Sequence, residues 1–429
     1  MNTTARCLVF LLFAFVSSAH ADVFNMPSGQ TSLQTVVVGN SGNANDPNTG
    51  NLQGGVAYNY NIGKYDVTVG QYTAFLNAVA ATDTYGLYNP NMATDLNIAG
   101  IAQNGTPGSY SYSVIGSPNK PITYVNWGSA ARFVNWLNNG QPTGGETLST
   151  TEDGAYFLNG AAPGIALNAI SRKPGATWFI PTESEWYKAA YYNPATNSYF
   201  QYPTSSNLTP TPSPPGSTPN TANFLSDSRV WAVTGSSSYS SSQNYLTDVG
   251  SYSSSASPYG AFDMGGDVYQ WNEALYGAEP DLYNAGRGIR GGTWTFMSQN
   301  LRALSYGYGG GGGSLTNWIG FRVASAPDPI TEVLGDFNQD GHTTTADISS
   351  MMKAFANFDF YMHANGLSNA DMLAIADVNG DGAINNADLQ ALLDLLKTGG
   401  GSTDPVPEPS TLVLAFFACV GLMSSRRFP

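Results

Sequence analysis

Two twelve-residue stretches carry the residue types and spacing of a hard-cation site. Residues 336–347 read DFNQDGHTTTAD and residues 377–388 read DVNGDGAINNAD. Each has an acid at position 1, Asn at 3, Asp at 5, Gly at 6, a backbone carbonyl at 7, a polar residue at 9 and an acid at 12. That is the order in which a calcium loop presents oxygen to Ca2+. The expected side-chain ligands are Asp336, Asn338, Asp340 and Asp347 in the first loop. In the second they are Asp377, Asn379, Asp381 and Asp388, with His342 and Ala383 supplying carbonyls. Two loops predict two bound Ca2+. Position 12 is Asp, shorter than the usual bidentate Glu. Residues 331–400 hold ten Asp/Glu against two Lys, a net −8, so the acidity of this segment reads as clustered metal ligands.

A second stretch, residues 290–323, reads RGGTWTFMSQNLRALSYGYGGGGGSLTNWIGFRV. Its ends read as short strands and its middle as a loop held between them. Tyr306 and Tyr308, beside the glycine run at 309–313, are the ligand-facing candidates, because aromatic rings beside polar groups suit carbohydrate or protein surfaces. Trp271, Trp294 and Trp318 read as core, and Arg290 and Arg322 as partners of structural ion pairs. Cysteine occurs only at Cys7 and Cys419, and histidine only at His20, His342 and His363. Between residues 22 and 330 there is thus no His-ligated metal site, Cys nucleophile or Ser-His-Asp triad.

The chain that must position these residues has 429 amino acids, enough for two or more domains. Hydrophobic residues make up 42% and charged residues only 11%, with abundant Gly, Tyr, Ser and Asn, a mix that suits a loop-rich extracellular protein. A net charge of −14 argues against nucleic-acid partners. Residues 1–21 read as a secretory signal peptide, with Arg6 before an apolar run and Ala19-His20-Ala21 as the cleavage site. Residues 57–62 and 64–68 look like the strands of a hairpin. Residues 69–79 have helical periodicity behind a Thr68 N-cap. Residues 121–125 read as a strand, and Asn126 or Ser129 would cap a helix over 130–137. Thr182 and Glu185 form a capping box for a helix over 183–191. Residues 194–220 are Pro/Ser/Thr-rich and predict a mobile surface excursion. A helix is expected after each calcium loop, at 348–355 and 389–396, and before the second, at 368–376.

The ordered motifs YDVTVGQYTAFL, PITYVNW, IPTESEWYKAA, YGAFDMGGDVYQW, RGGTW and GFRVA resemble the formylglycine-generating enzyme (sulfatase-modifying factor) family. The resemblance implies an α+β, C-type-lectin-like fold with low regular structure. It also implies one more Ca2+ in the central domain, held by Asp263, Gly266, Val268 and Gln270, where Gln270 replaces the usual Glu. A second family calcium site would use Asn223, without an evident partner carboxylate. The family's oxidising members hold copper on two cysteines after the Arg-Gly-Gly motif. Phe296 and Leu301 stand at those positions here, and neither can bind copper, so the resemblance comes without the reactive centre.

The paired loops with their following helices resemble type I dockerins, which implies a cohesin as a partner. Val406-Pro407-Glu408-Pro409-Ser410, an apolar run and Arg426-Arg427 resemble the PEP-CTERM sorting signal, which implies processing by an exosortase. The expected organisation is a signal peptide (1–21), an N-terminal segment (22–55), the central domain (56–326), the calcium repeat (327–398) and a linker with sorting signal (399–429). The expected function is non-catalytic binding of a glycan or protein at the bacterial cell surface or in its extracellular matrix, after processing by signal peptidase and exosortase. Two alternatives stay open: an oxidase with an altered metal centre, and a cohesin-recruited component of a polysaccharide-degrading assembly.

Overall fold

The structure, a computed structural model, describes residues 32–276, 285–310, 312–327, 333–338, 343–358, 361–362, 367 and 369–397. They fall into two compact units, one within His20–Asp328 and one within Pro329–Pro429. The expected signal peptide and sorting signal lie outside the described residues.

The larger unit mixes short helices and strands, as the α+β expectation requires. In chain order it contains β1 (Thr35–Val38), β2 (Tyr60–Gly63), α1 (Val69–Val79), α2 (Asn91–Thr94), β3 (Ile101–Asn104), β4 (Ser111–Val114), α3 (Trp127–Asn138) and α4 (Ile165–Asn168). Then follow β5 (Trp178–Phe179), α5 (Glu183–Tyr191), β6 (Tyr192–Asn193), β7 (Ser198–Tyr199), β8 (Thr211–Pro212) and β9 (Thr221–Ala222). It closes with β10 (Tyr269–Tyr276), β11 (Gly286–Arg290), β12 (Gly307–Gly310), β13 (Ile319–Gly320) and β14 (Ala324–Ser325). Two four-stranded sheets, ordered β1-β2-β14-β5 and β12-β11-β10-β13, organise it.

Local capping starts the helices where expected. Thr68 and Gln71 form a reciprocal capping box at α1, Asn126 caps α3, and Thr182 with Glu185 caps α5. The apolar faces of α1 and α3 then meet over Phe321. Phe75 and Phe133 are 5.3 Å apart edge-to-face, and Phe133 and Phe321 are 5.4 Å apart in the same geometry, the arrangement aromatic quadrupoles favour.

Strand pairing departs from expectation. The proposed hairpin over residues 57–68 does not form. Instead β2 pairs antiparallel with β1 (Val38↔Tyr60) and on its other edge with β14 (Ala324↔Ile62). Residues 121–125 make one isolated bridge, Thr68↔Pro121, and no strand. The Pro/Ser/Thr-rich segment 194–220 is folded onto the unit. Tyr202 is buried with Ala222, Phe224 and Leu301, and Thr204 donates to Asn220 Oδ1 at 2.6 Å.

One carboxylate in this unit has an energetic consequence. Glu146 is buried, one oxygen accepts from the Tyr85 amide at 2.7 Å, and the other has no partner. Burial pushes its pKa up to about 7, opposed by the Tyr85 amide and reinforced by Asp83. A carboxyl whose folded pKa is raised binds more protons folded than unfolded. Its contribution is therefore complete below the unfolded value and is lost as pH rises through about 7. Melting temperatures of wild type and Glu146→Gln, measured from pH 4 to 8, should converge in acid, with the variant the more stable at pH 8. A constant difference across that range would contradict the assignment.

In the smaller unit, α6 (Thr345–Ala356), α7 (Asn369–Ala376) and α8 (Asn386–Lys397) pack around Phe337, Met351, Tyr361, Ile375 and Leu392. These are the helices expected after the first loop and on both sides of the second.

Candidate functional site

The hairpin end of β11 sets the first candidate site. Gly291 and Gly292 follow Arg290 with φ of 105° and 77°, and a Cβ at Gly292 would meet Leu301 at 2.7 Å. The chain then turns through Trp294 and a 3-10 turn at Ser298–Leu301. Leu301 is fully buried against Tyr202 and Phe224. Phe296 faces outward, 39% exposed, its ring edge-on to Trp318 at 5.7 Å and 5.9 Å from Tyr269. Both positions where the resemblance places thiols are thus occupied by hydrocarbon packed on hydrocarbon.

Arg290 is buried, and its guanidinium is engaged within the protein. It forms an ion pair with Glu183 at the start of α5 and donates to the carbonyls of Ala303 and Ser305. Asn272 on β10 donates to the other Glu183 oxygen at 2.6 Å, so α5 is tied to two strands of the second sheet. Arg322 is likewise a structural cation, paired with Asp66 at 3.3 Å. Tyr306 and Tyr308 are 59% and 57% exposed, and Tyr306 stacks on Tyr276 at 4.8 Å. Trp271 and Trp294 are buried, while Trp318 is only partly so.

The carboxylates of the DMGGDVYQW motif lie in a buried polar knot. Asp263 and Asp267 both take positive φ, 55° and 58°. Asp263 Oδ2 accepts from the Gly250 amide at 2.6 Å, and Asp263 lines a cavity of about 10 Å3 with Thr204, Thr221 and Ser255, room for one water-sized sphere. Asp267 accepts from Asn223 Nδ2 at 2.9 Å and from the Thr247 hydroxyl at 2.7 Å. Burial raises Asp263 to about 6, against the Gly250 amide and Arg322. Burial followed by Asp263 raises Asp267 to about 7. Gly266 is required for its backbone: φ is 88°, and a Cβ there would meet the Asn223 carbonyl at 2.5 Å.

Gln270 behaves differently from the expected ligand. Its Oε1 accepts from Trp186 Nε1 and Arg322 Nε, both at 2.7 Å, and its Nε2 donates to the Asp263 carbonyl at 2.8 Å. An amide oxygen has two lone pairs, and both are used. In this arrangement Gln270 crosslinks α5, the Asp263 turn and Arg322, which leaves it outside a cation's donor set. Sequence reasoning missed Asp66 and Asp267 here. The available signal was a charged residue set within an aromatic motif of a chain with so few charges.

The calcium loops share one internal geometry. In the first, Asp347 accepts from the amides of Asn338 and Thr344 at 2.8 and 2.7 Å. In the second, Asp388 accepts from the amides of Asn379 and Asn385 at 3.2 and 2.8 Å. The acid at position 12 thus closes each loop onto positions 3 and 9. Asp377 accepts from the amides of Asp381 and Gly382, at 2.9 and 2.8 Å, and Asp381 from that of Ala383 at 2.9 Å. Asp336 is buried, whereas Asp340 and His342 lie outside the described residues. Among the described residues no three His, Cys, Asp or Glu side chains converge as a ready cage.

Comparison with known proteins agrees with this division. Residues 22–327 match the model of the sulfatase-modifying factor enzyme 1-like domain, and residues 334–396 that of the dockerin type I domain. Dockerin type I domains are calcium-binding and typically bind cohesins. No curated protein matches the chain. Similar solved structures include that of CarF, 18% identical over 69% of this chain and 99% of that one, with a TM-score of 0.41. Variable protein 1 of Treponema denticola is 16% identical over 70% of this chain and 98% of its own, TM-score 0.40. PvdO from Pseudomonas aeruginosa is 18% identical over 69% and 92%, TM-score 0.35. The match to residues 22–327 covers most of the sequence, and the chain belongs to the sulfatase-modifying factor enzyme 1-like family, with a dockerin type I domain behind that module.

Proposed function

We propose that this chain is an exported protein of the bacterial cell surface or extracellular matrix whose central domain binds a surface glycan or protein without catalysing a reaction. The observation that carries the reading is the identity of residues 296 and 301. A copper-thiolate oxidase needs two ionisable sulfurs, and Phe296 and Leu301 offer none. No other Cys or His lies between residues 22 and 330 to replace them. The exposed rings of Tyr306 and Tyr308 give the domain a contact surface. Two Ca2+ ions clamp the dockerin-type unit through Asp336, Asn338, Asp340, His342 and Asp347, and through Asp377, Asn379, Asp381, Ala383 and Asp388. A third, in the central domain, would rest on Asp263 with the Gly266 and Val268 carbonyls. Signal peptidase and exosortase process the two ends.

Metal analysis and oxygen uptake on the purified full-length protein test the reading. Calcium alone, no thiol-dependent oxygen uptake, and saturable retention on isolated cell-surface material are the expected results. One copper or iron per chain together with thiol-dependent oxygen consumption would overturn it. The dockerin match also favours a cohesin as the unit's partner, which a pull-down with a cohesin module checks directly.

A further inference from the structure

The surface around Phe296 has a composition of its own. Phe296 and the partly buried Trp318 form a two-ring floor, backed by the buried ring of Tyr269, which lies 5.8 Å from Trp318 and edge-on to it. The loop that carries Trp318 also holds a pinned carboxylate. Asp95 Oδ2 accepts from the Tyr124 hydroxyl at 2.8 Å and from Asn317 Nδ2 at 2.9 Å, and Oδ1 accepts from the Asn97 amide at 3.1 Å. Asn317 is the chain neighbour of Trp318, and the Tyr124 amide donates to the Thr316 carbonyl at 3.0 Å, so rim and floor share one loop. Tyr124 is held at φ 57°, a conformation that a bulky side chain adopts only under tertiary constraint.

We propose that these six residues form a saccharide subsite for one or two rings of an uncharged polysaccharide. This rests on the ligand-binding reading above and specifies its chemistry. A sugar ring offers an apolar face for the aromatic floor and hydroxyls for a rigid acceptor. A carboxylate has about four acceptor positions, and the three bonds to Asp95 leave one for a hydroxyl. The Asn317 side-chain oxygen has no protein partner among the described residues. Area argues against a protein occupant. Of the three rings only Phe296 is well exposed, and at 39% of about 200 Å2 it offers about 80 Å2 of apolar surface, a small anchor beside the about 800 Å2 per partner that a stable protein interface buries. Charge argues against an acidic polysaccharide. The rim carries Asp95, no Lys or Arg among the described residues hydrogen-bonds to or stacks on any of the six, and the chain as a whole carries −14.

The test uses the full-length protein with calcium present and three probes: a neutral hexose hexamer, an N-acetylhexosamine hexamer and a uronic-acid hexamer. Binding is read by tryptophan fluorescence and equilibrium titration. One or both uncharged hexamers should bind with a change in emission. Phe296→Ala and Trp318→Ala should each weaken them tenfold or more, Asp95→Asn less, and Leu208→Ala, at an exposed apolar residue outside the subsite, by less than twofold. Thermal melting confirms folding of each variant, and Phe296→Ser serves where Trp318→Ala melts early. Binding indifferent to Phe296→Ala and Asp95→Asn, or a preference for the uronic-acid hexamer, would overturn the subsite. Failure of every hexamer would do so too. Retention on cell-surface material in that last case would leave the broader binding reading standing.

Discussion

Chelating calcium from the full-length protein should abolish the fold of its dockerin-type unit while the larger unit persists. The unit's buried core is small, built on Phe337, Met351, Ala354, Tyr361, Leu367, Met372, Ile375, Ala376 and Leu392. So small a core seldom supplies more than about 3–5 kcal/mol. Against it stand ten acids and two lysines in residues 331–400, with Asp377, Asp381 and Asp388 inside a single twelve-residue loop. Without a cation these carboxylates repel one another. Among the described residues their compensation is hydrogen bonding within the same loop, from backbone amides and from the Asn379 side-chain amide. An ion that binds only the folded form adds about 4 kcal/mol when its concentration is a thousand times its Kd, comparable to the whole stability of the unit. Far-UV circular dichroism before and after a calcium chelator should therefore lose the helical signal of α6, α7 and α8, of twelve, eight and twelve residues, and recover it on adding Ca2+. Asp388→Ala should mimic most of the effect, because that side chain both closes the loop onto Asn379 and Asn385 and is expected to bind the ion. Unchanged spectra and melting with chelator would refute the calcium clamp.

How much of this was readable beforehand depended on how local the cause was. A capping box spans four residues, so Thr182 and Glu185 announced α5, and Thr68 announced α1. The twelve-residue loops were readable for the same reason, since position along a short loop decides which oxygens point inward. Strand pairing was not local. Residues 57–68 alternate like a hairpin, but β2 found its partners in β1 and β14, the latter more than 250 residues away. Alternation identifies a face and says nothing about which edge will dock. Composition misled at 194–220, where Pro and Ser suggested mobility. Two aromatics, Tyr202 buried beside Leu301 and Tyr199 packed on Tyr187 and Tyr192, together with side-chain bonds such as Thr204 to Asn220, hold that segment down. Gln270 shows the same limit within the candidate site. Its motif position suggested a ligand, and only the fold reveals that Trp186 and Arg322, 84 and 52 residues away, occupy its oxygen.

Replacing Arg322 should be the most damaging single change in the larger unit. The side chain is fully buried, and its donors reach four acceptors: Gln270 Oε1, the Gly63 and Phe262 carbonyls, and Asp66 Oδ1. It thereby joins the end of β2, the turn before Asp263, and β10. Its partner Asp66 is fully buried too, with its second oxygen lacking any hydrogen bond, and burial raises its pKa well above the ordinary value while Arg322 opposes that rise. Removing one member of a buried ion pair leaves an uncompensated charge and typically costs about 3–5 kcal/mol. Arg322→Met should lose stability on that scale, since the carbonyls and Gln270 also lose their donor. Arg322→Lys should recover little, because a single ammonium cannot reproduce the guanidinium fork. The sign with pH follows from Asp66. Without the arginine its folded pKa rises further, so the penalty is smallest in acid and grows as pH rises through that raised value. Denaturant unfolding of wild type, Arg322→Met and the double variant Arg322→Met/Asp66→Asn should show the double variant more stable than the single one at pH 8, and the two converging near pH 4. A double variant no better than the single one at pH 8 would mean that Asp66 is not the charge Arg322 neutralises, and that its bonds to Gly63, Phe262 and Gln270 carry the loss.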